Sequence, residues 1–216
     1  MTPSAAYGLL LNVGAIEMRR DDGRSPITVT AEGLPGCEIA LGAVCRGESR
    51  GHAECPPSVQ TLYQQLHNYP VGAVAPERAS ATKGNKPNIQ PIRREYLADL
   101  DSYVCLRGND ELEARVRDGL AAGAGYAPDG KRRYGMPFLG DNSFTLSVLR
   151  EESEPAAAHW FVLATREQGP DVPNPCRLSV WIDRADSSRT TTRLFGREDV
   201  AQVEVPAGAW VEVGPR

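Results

Sequence analysis

The sequence contains no long apolar run and no excess of positive charge. Its N-terminal segment, MTPSAAYGLLLNVGAI, has no basic region before its apolar stretch, and that stretch is too short to span a bilayer. We therefore expect neither a secretion signal nor a membrane anchor, and the cytoplasm is the default location. The net charge of −4 excludes a basic field over the whole molecule, so any binding of nucleic acid must depend on a local patch.

The sequence also lacks the usual signatures of metal and nucleotide sites. The five cysteines include no CxxC pair, and their odd number fits reduced thiols in a cytosol better than a disulfide framework. Cys37, Cys45, His52 and Cys55 have spacings that match no familiar zinc pattern. No phosphate-binding loop, nucleophile elbow or dinucleotide fingerprint occurs. We therefore expect no metal and no cofactor, but buried thiols and a loop histidine.

Glycine and proline are frequent and spread along the chain, with 21 glycines and 17 prolines among 216 residues. This distribution indicates many short strands and loops rather than a helical bundle. The composition, 41% apolar and 24% charged, is ordinary for a soluble globular protein, and the length allows one large domain or two small ones. Two helical segments among several strand segments predict an α+β fold rather than a doubly wound one.

The N-terminal half combines one helix with several strand candidates. Ser4 is a suitable cap for a short helix that runs to about Val13, although YGLLLNVGAI is also compatible with a buried strand; we favour the helix. Residues 37 to 44, CEIALGAV, predict a strand, and residues 46 to 57 predict a flexible loop. Residues 58 to 70 carry apolar side chains at helical spacing, yet a strand is also compatible with them.

The C-terminal half begins with a helix and continues mostly as strands. Asn109 or Asp110 caps a helix over NDELEARVRDGLAAG, which has acidic residues in its first turn and stops at Gly123. GMPFLGDNSFTLSVL, residues 135 to 149, predicts a strand region broken by a turn at Gly140. The last third of the chain predicts short strands separated by turns, over HWFVLAT, CRLSVWID, TTTRLF, VAQVEV and AWVEV.

A basic segment precedes a strand pattern near the middle of the chain. Residues 78 to 94 contain five basic residues, no acid, two prolines and a glycine, and therefore predict an extended loop. From Tyr96 to Arg107 the residues alternate as in a half-buried strand, with Asp99 and Asp101 expected to face solvent. The basic loop is either an ordinary solvated loop or a phosphate-binding surface.

The residue types around this loop suit RNA. Lysine and arginine neutralise phosphates, amides hydrogen-bond to unstacked bases, and tyrosine rings offer stacking surfaces. The candidate contacts of this kind are Tyr69, Lys83, Lys86, Asn88, Arg93, Arg94 and Tyr134.

Five segments in the first two thirds of the sequence occur in an order that is similar to one known family. They are PSAAYGLLLNV, CEIALGAV, TLYQQLHNYPVG, GNKPNIQPIRREYLADLDSYVCLRG and RRYGMPFLGDNSFTL. In this order they resemble the Cas-five subunits of type I CRISPR Cascades, most closely the branch named after the Myxococcus developmental operon. The likeness covers about residues 3 to 148, and the REYL strand followed by the FLG-containing turn is its most specific part.

The resemblance implies a RAMP-type fold, which is a ferredoxin-like (RRM-like) β-α-β-β-α-β unit with a long β-hairpin thumb. On this chain the unit would cover residues 1 to 150, with the thumb near residues 37 to 92 and a β-rich C-terminal extension over residues 151 to 216 packed on it. The REYL strand would be a central strand. Residues 110 to 122 would form the second helix, and residues 137 to 148 the fourth strand.

The resemblance also implies a function. Such subunits clasp the repeat-derived 5′ handle of the CRISPR RNA in the antiviral surveillance complex. They contact the first backbone subunit and the large subunit, and they interact indirectly with target DNA. In this fold the glycine turn of the fourth strand brings backbone close to RNA, and the added candidate contacts are Arg132, Arg133, Gly140 and Asn142. Arg93 and Arg94 would close the base of the thumb, where strand alternation lets only one of the two face RNA.

The sequence departs from the family pattern in two respects. A helix from residue 4 leaves no sequence for the first ferredoxin strand. Some family members cut precursor CRISPR RNA with a Tyr-Lys-His site, but here Lys86 has no adjacent histidine, so we expect no catalytic residues. One alternative is a metal-independent processing endoribonuclease with His67 as general acid or base. Another is an assembly protein whose basic loop contacts no RNA.

Overall fold

The structure is a computed structural model in which most of the chain is described. The described residues are 1–20, 29–44, 58–67, 89–123, 137–139, 146–165, 172–184 and 186–215. They form an α+β fold with antiparallel strands, as predicted from the pattern of elements. Within these residues, no helix has the length and apolar character needed to cross a bilayer.

Two α-helices, ten strands and two short 3₁₀ helices (Ser187–Arg189 and Ala207–Ala209) make up the described fold. The helices are α1 (Pro3–Val13) and α2 (Asp110–Ala121). The strands are β1 (Arg19–Arg20), β2 (Val29–Thr30), β3 (Cys37–Ala43), β4 (Ser58–His67), β5 (Ile89–Ala98), β6 (Ser102–Arg107), β7 (His159–Leu163), β8 (Pro175–Trp181), β9 (Thr191–Arg197) and β10 (Val211–Val213). Strands β1 and β2 pair with each other, β4 pairs with β5, and the other six form one sheet.

Helix α1 forms over the predicted segment but is capped by Thr2 rather than by Ser4. The Thr2 hydroxyl accepts a hydrogen bond from the Ala5 amide at 3.3 Å. Pro3 occupies the first helical position, where its missing N–H is not needed. The helix is largely buried, and the Tyr7 hydroxyl donates to the Pro35 carbonyl at 2.7 Å. The helical alternative for this segment is confirmed.

Helix α2 has the predicted cap and the predicted stop. The Asn109 side chain accepts a hydrogen bond from the Leu112 amide at 2.9 Å, and Gly123 follows the helix with φ of 82°. Leu112 and Val116 are buried against the core. The helix lies so close to α1 that a Cβ on Gly119 would be 2.0 Å from the Val13 carbonyl oxygen.

Strand β3 lies at the centre of the six-stranded sheet. One of its edges pairs with β6 over Glu38 to Ala43. Its other edge pairs with β10 in its first half and with β7 at Gly42 and Ala43. The sheet continues from β7 through β9 to β8. A strand from the first quarter of the chain is therefore enclosed by strands from the middle and the end.

The two faces of this sheet carry different cores. Ile39 and Leu41 of β3 join α1 and α2 in the larger core. On the opposite face Ala40 and Trp160 form a second, smaller cluster with Ala158 and Ala209. Because the Trp160 ring lies directly on β3, a Cβ at Gly42 would be 2.9 Å from it.

The prediction of one strand from Tyr96 to Arg107 is wrong. Strand β5 ends at Ala98 and β6 begins at Ser102. Between them Asp99 adopts φ of 59°, and its carboxylate accepts a hydrogen bond from the Ser58 hydroxyl at 2.8 Å. A residue in the left-handed region ends the regular alternation. Asp99 and Asp101 therefore lie in a break between two sheets.

Two further strand predictions are also wrong where the structure describes them. VAQVEV, residues 200 to 205, forms only a bridge between Gln202 and Ala158, and the Gln202 carbonyl also accepts the Trp160 indole N–H at 2.9 Å. Residues 137–139 and 146–148 form no extended strand. Instead the Leu146 amide donates to the carbonyl of Pro137, which has no N–H of its own. Residues 140–145 lie outside the described residues.

The region expected to form the thumb and its base is arranged differently. Residues 58–67 form a strand, which was one of the two alternatives. Residues 89–94 belong to β5 rather than to an extended loop, and the REYL motif lies in the β4–β5 pair, not at the centre of the main sheet. Residues 37–43, the start of the predicted thumb, form the central strand β3 instead. Residues 46–57 and 78–88 lie outside the described residues.

Candidate nucleic-acid interface

Strands β4 and β5 form a two-stranded antiparallel ribbon. It contains ten residue pairs, from Ser58 opposite Ala98 to His67 opposite Ile89. Among the described strands, none of the other two sheets is hydrogen-bonded to it. An isolated pair of strands is only marginally stable in water. Such a ribbon is therefore stabilised when another surface packs against it.

One face of the ribbon is exposed over its described side chains. Its cross-strand pairs are Val59 with Leu97, Thr61 with Glu95, and Tyr63 with Arg93. Val59 is 64% exposed, Leu97 49% and Tyr63 71%. Contiguous exposed apolar and aromatic side chains mark interaction surfaces more often than structural ones. The face therefore presents a guanidinium and a free aromatic ring as direct neighbours.

The opposite face of the ribbon is half-buried over its described side chains, except at Gln60, which is exposed. Arg94 lies on this face opposite Leu62, and Ile92 and Tyr96 flank it along β5. Because successive residues of a strand point to opposite sides, Arg93 and Arg94 cannot face the same ligand. The expectation that the two arginines point to opposite faces is confirmed by their exposures, since Arg93 is exposed and Arg94 is half-buried.

Arg93 already has an acidic neighbour. Its guanidinium lies 2.6 Å from the carboxylate of Glu95, two residues along the same face of β5. The two side chains are 59% and 58% exposed, so solvent screens the pair. Pairs of this kind contribute about 0.2–1 kcal/mol, which a phosphate group can displace. The pair with Glu95 therefore leaves the Arg93 guanidinium accessible to solvent.

Arg93 and Arg94 are the two candidate contacts that the structure describes. The others lie outside the described residues: Tyr69, Lys83, Lys86, Asn88, Arg132, Arg133, Tyr134, Gly140 and Asn142. The structure thus brings Arg93 next to Tyr63 and Glu95, and assigns Arg94 to a different surface.

Tyr63 and Glu95 were not among the contacts predicted from the sequence. The signal for Tyr63 was its period-two spacing with Val59 and Thr61, but the helical spacing of Leu62 and Leu66 obscured it. Glu95 follows Arg93 by two residues, and residues at this spacing lie on the same face of a strand. The prediction placed Arg93 in a loop before the strand, so this spacing did not indicate that the two side chains are neighbours.

Groups capable of nucleophilic or acid–base chemistry lie elsewhere or outside the described side chains. Burial raises the pKa of the Cys37 thiol to about 12, with a further contribution from Glu38, and burial raises that of Cys105 to about 11. Both thiols therefore stay protonated at neutral pH and are poor nucleophiles. His159 is 5% exposed, with Nδ1 2.9 Å from the Glu198 carbonyl oxygen. The His67 side chain is not among those described.

Metal-ligating side chains do not gather in the described part of the chain. No group of three or more His, Cys, Asp or Glu residues is arranged there to hold an ion. Cys37 lies in β3 of the main sheet, whereas Cys45, His52 and Cys55 fall outside the described residues.

The candidate interface is defined by the geometry of the ribbon, with its exposed Tyr63 beside Arg93. Comparison with known proteins adds no family to this description. No protein-family model matches the chain, and no curated protein matches it.

Proposed function

We propose that this protein is a subunit of a type I CRISPR Cascade that binds the repeat-derived 5′ handle of the CRISPR RNA without cleaving it. The observation that carries the proposal is the exposed pair of Tyr63 and Arg93 on the ribbon. A guanidinium neutralises a phosphate while a neighbouring ring stacks on an unpaired base, which is how proteins hold single-stranded RNA. The five sequence segments that resemble the Cas-five subunits supply the biological setting.

The order of elements supports the finer part of the proposal, a ferredoxin-like RAMP fold. Helix α1, strand β3, strand β6 and helix α2 follow one another, with β3 and β6 antiparallel neighbours and both helices in the same core. This matches the α-β-β-α middle of a β-α-β-β-α-β unit. The ribbon is inserted between β3 and β6, so in the proposal the thumb is an insertion between these strands.

The proposed partners are the CRISPR RNA, the first backbone subunit and the large subunit of the complex. A ribbon that is marginal alone would be stabilised when RNA or a neighbouring subunit covers it. The isolated chain is expected to bind non-specific RNA weakly. Its net charge is −4, so one face of the ribbon must supply the affinity.

A matched pair of variants tests the role of Arg93. Arg93 pairs with Glu95 and Arg150 pairs with Glu152, so both are exposed arginines bound to a glutamate two residues later. Binding of fluorescein-labelled single-stranded RNA is measured by anisotropy from about 50 mM to 200 mM salt. We expect Arg93→Ala to reduce the slope of log affinity against log salt by about one, and Arg150→Ala to leave it unchanged.

Two further measurements separate the proposal from its competitors. Tyr63→Ala should weaken RNA binding without changing the salt slope, because stacking releases no counterions. Equal RNA binding by wild type, Arg93→Ala and Tyr63→Ala would refute the proposed interface and favour an assembly protein. Cleavage of a CRISPR repeat hairpin in EDTA by the purified protein would instead support the endoribonuclease.

A further inference from the structure

The exposed face of the β4–β5 ribbon has an aliphatic base that RNA binding does not use. From the base outward its cross-strand pairs are Val59 with Leu97, Thr61 with Glu95, and Tyr63 with Arg93. Val59 is 64% exposed and Leu97 49%. Aliphatic side chains neither neutralise phosphates nor offer a ring for stacking. Adjacent exposed aliphatic side chains are instead typical of surfaces that bind protein.

The charges of this face are complementary to the same face turned around. Along β5 the face presents Leu97, Glu95, Arg93 and Pro91 in that order, because alternate residues of a strand share a face. A second ribbon laid on it in the opposite direction brings its Glu95 over Arg93 and its Arg93 over Glu95. The same placement brings Pro91 of each copy over Leu97 of the other. One twofold axis between the two faces produces all four contacts.

The attachment of the ribbon favours the opposite direction. Residues 99 to 101 join its base to the main sheet, and the Asp101 carbonyl accepts a hydrogen bond from the Val44 amide at 2.9 Å, directly after β3. The main sheet therefore lies at the end of the ribbon that carries Val59 and Leu97. Packed faces are about 10 Å apart, so two ribbons in the same direction would crowd both main sheets at one end. Ribbons in opposite directions place the main sheets at opposite ends.

We propose that two copies of this chain pack the exposed faces of their β4–β5 ribbons against each other in opposite directions. Burial of Val59, Leu97 and Tyr63 supplies the favourable free energy. The Arg93–Glu95 pair within each strand, 2.6 Å in the single chain, is exchanged for two pairs between the copies, which fix the direction of packing. The interface is small, so the association is weak and needs a high protein concentration.

The dimer and the RNA-binding face share Tyr63 and Arg93. Self-association itself does not require RNA. As a regulation of RNA binding it rests on the proposed function: a second copy covers the face, and RNA must displace it. The dimer is then a form of the protein in which the RNA-binding face is withdrawn from solvent.

Two charge variants of the full-length chain test the exchanged pairs. Arg93→Glu makes both charged positions of the face acidic and Glu95→Arg makes both basic, so each variant repels its own copy. Mixed together, they restore both pairs between chains, although neither chain can form the pair within itself. Sedimentation at about 200 µM protein, chosen for a small interface, should show dimers for wild type and for the mixture, and monomers for each variant alone.

The control variants carry the same substitutions at the other exposed pair. Arg150→Glu and Glu152→Arg also alter an ion pair between residues two apart. Alone or mixed, they should dimerise as wild type does. The aliphatic base is tested by Val59→Ser with Leu97→Ser, which should raise the dissociation constant of the dimer at least about tenfold. All variants are checked for folding by thermal melting.

Each other result overturns the proposal. A wild type that stays monomeric removes the dimer. Charge variants that dimerise alone, or a mixture that stays monomeric, refute the exchanged pairs. Loss of the dimer in the variants at Arg150 and Glu152 reduces the effect to net charge, and an unchanged dimer in the serine variant moves the contact away from the aliphatic base.

The regulatory role has its own measurement. A short single-stranded RNA should convert wild-type dimers to RNA-bound monomers, whereas dimers that bind it without dissociating refute competition for one face. RNA binding is also measured on the monomeric variant Val59→Ser with Leu97→Ser, in which Tyr63 and Arg93 are intact. Absence of RNA binding there counts against the proposed function and leaves the dimer standing.

Discussion

Gly119 offers a sharp test of how the two helices pack. A Cβ at this position would lie 2.0 Å from the Val13 carbonyl oxygen and 2.8 Å from its carbon. Both atoms belong to the backbone, so no change of rotamer relieves the overlap, and Gly119→Ala must push α1 and α2 apart. Overpacking of this kind costs about 1–3 kcal/mol, and backbone overlap places Gly119 towards the upper end.

Helix propensity acts in the opposite direction. Alanine in place of glycine inside a helix stabilises it by about 0.5–1 kcal/mol. For Gly119→Ala the steric term is larger, so we expect a net loss of about 2 kcal/mol in the free energy of unfolding. Gly8 in α1 is the matched control, because the nearest atom to its added Cβ is the Met18 sulfur at 4.0 Å, an ordinary contact. Gly8→Ala should therefore stabilise the protein by about 0.5–1 kcal/mol.

Urea denaturation followed by far-ultraviolet circular dichroism measures both changes. The two substitutions are chemically identical and both lie within helices, so only the packing against the neighbouring helix distinguishes them. If both variants are stabilised, or both destabilised by similar amounts, the close approach of α1 and α2 at Gly119 is refuted.

Three further predictions concern the ribbon and the main sheet. Glu95→Gln should raise the affinity for single-stranded RNA by freeing Arg93, whereas Glu152→Gln, which frees Arg150 in the same way, should not; equal effects in anisotropy titrations would assign the gain to net charge. Burial raises the pKa of Cys37 from 9.0 to about 12, so its contribution to stability is full below pH 9 and is lost as the pH rises towards 12. The free energy of unfolding should therefore fall more steeply between pH 9 and pH 11 in wild type than in Cys37→Ala. Gly42→Ala should destabilise the protein by about 1–3 kcal/mol in thermal melts, because its Cβ would lie 2.9 Å from the Trp160 ring; an unchanged melting temperature would contradict the packing of that ring on β3.

Local signals in the sequence were sufficient for the helices. Asn109 and Gly123 bound α2 as expected, because a capping side chain and a glycine with φ of 82° act on their own turn of the chain. The cap of α1 was misplaced by two residues, since Thr2 and Ser4 are both good caps and Pro3 decides between them.

The breaks and partners of the strands were not predictable in the same way. Alternation continues through Asp99, and only the backbone turn there, held by Ser58 from a distant part of the sequence, separates β5 from β6. At the candidate site the opposite directions of Arg93 and Arg94 follow from strand periodicity alone. The pairing of Arg93 with Tyr63 depends on the register of β4 and β5, because Tyr63 lies on the partner strand, thirty residues away in the chain. Register between distant segments is a tertiary property that no local pattern contains.

The central position of β3 has a consequence for the order of events during synthesis. One edge of β3 is completed by β10, since Ile39 pairs with Val211 near the other end of the chain. A ribosome that adds about 5–20 residues per second needs roughly 10 to 30 s to cover that distance. During this interval the innermost strand of the sheet has half of one edge without its partner, and such an edge can pair with another nascent chain. Among the described strands, β3 waits longest between its synthesis and the completion of its pairing. In the folded protein the same strand has partners on both edges and is the least accessible to another chain.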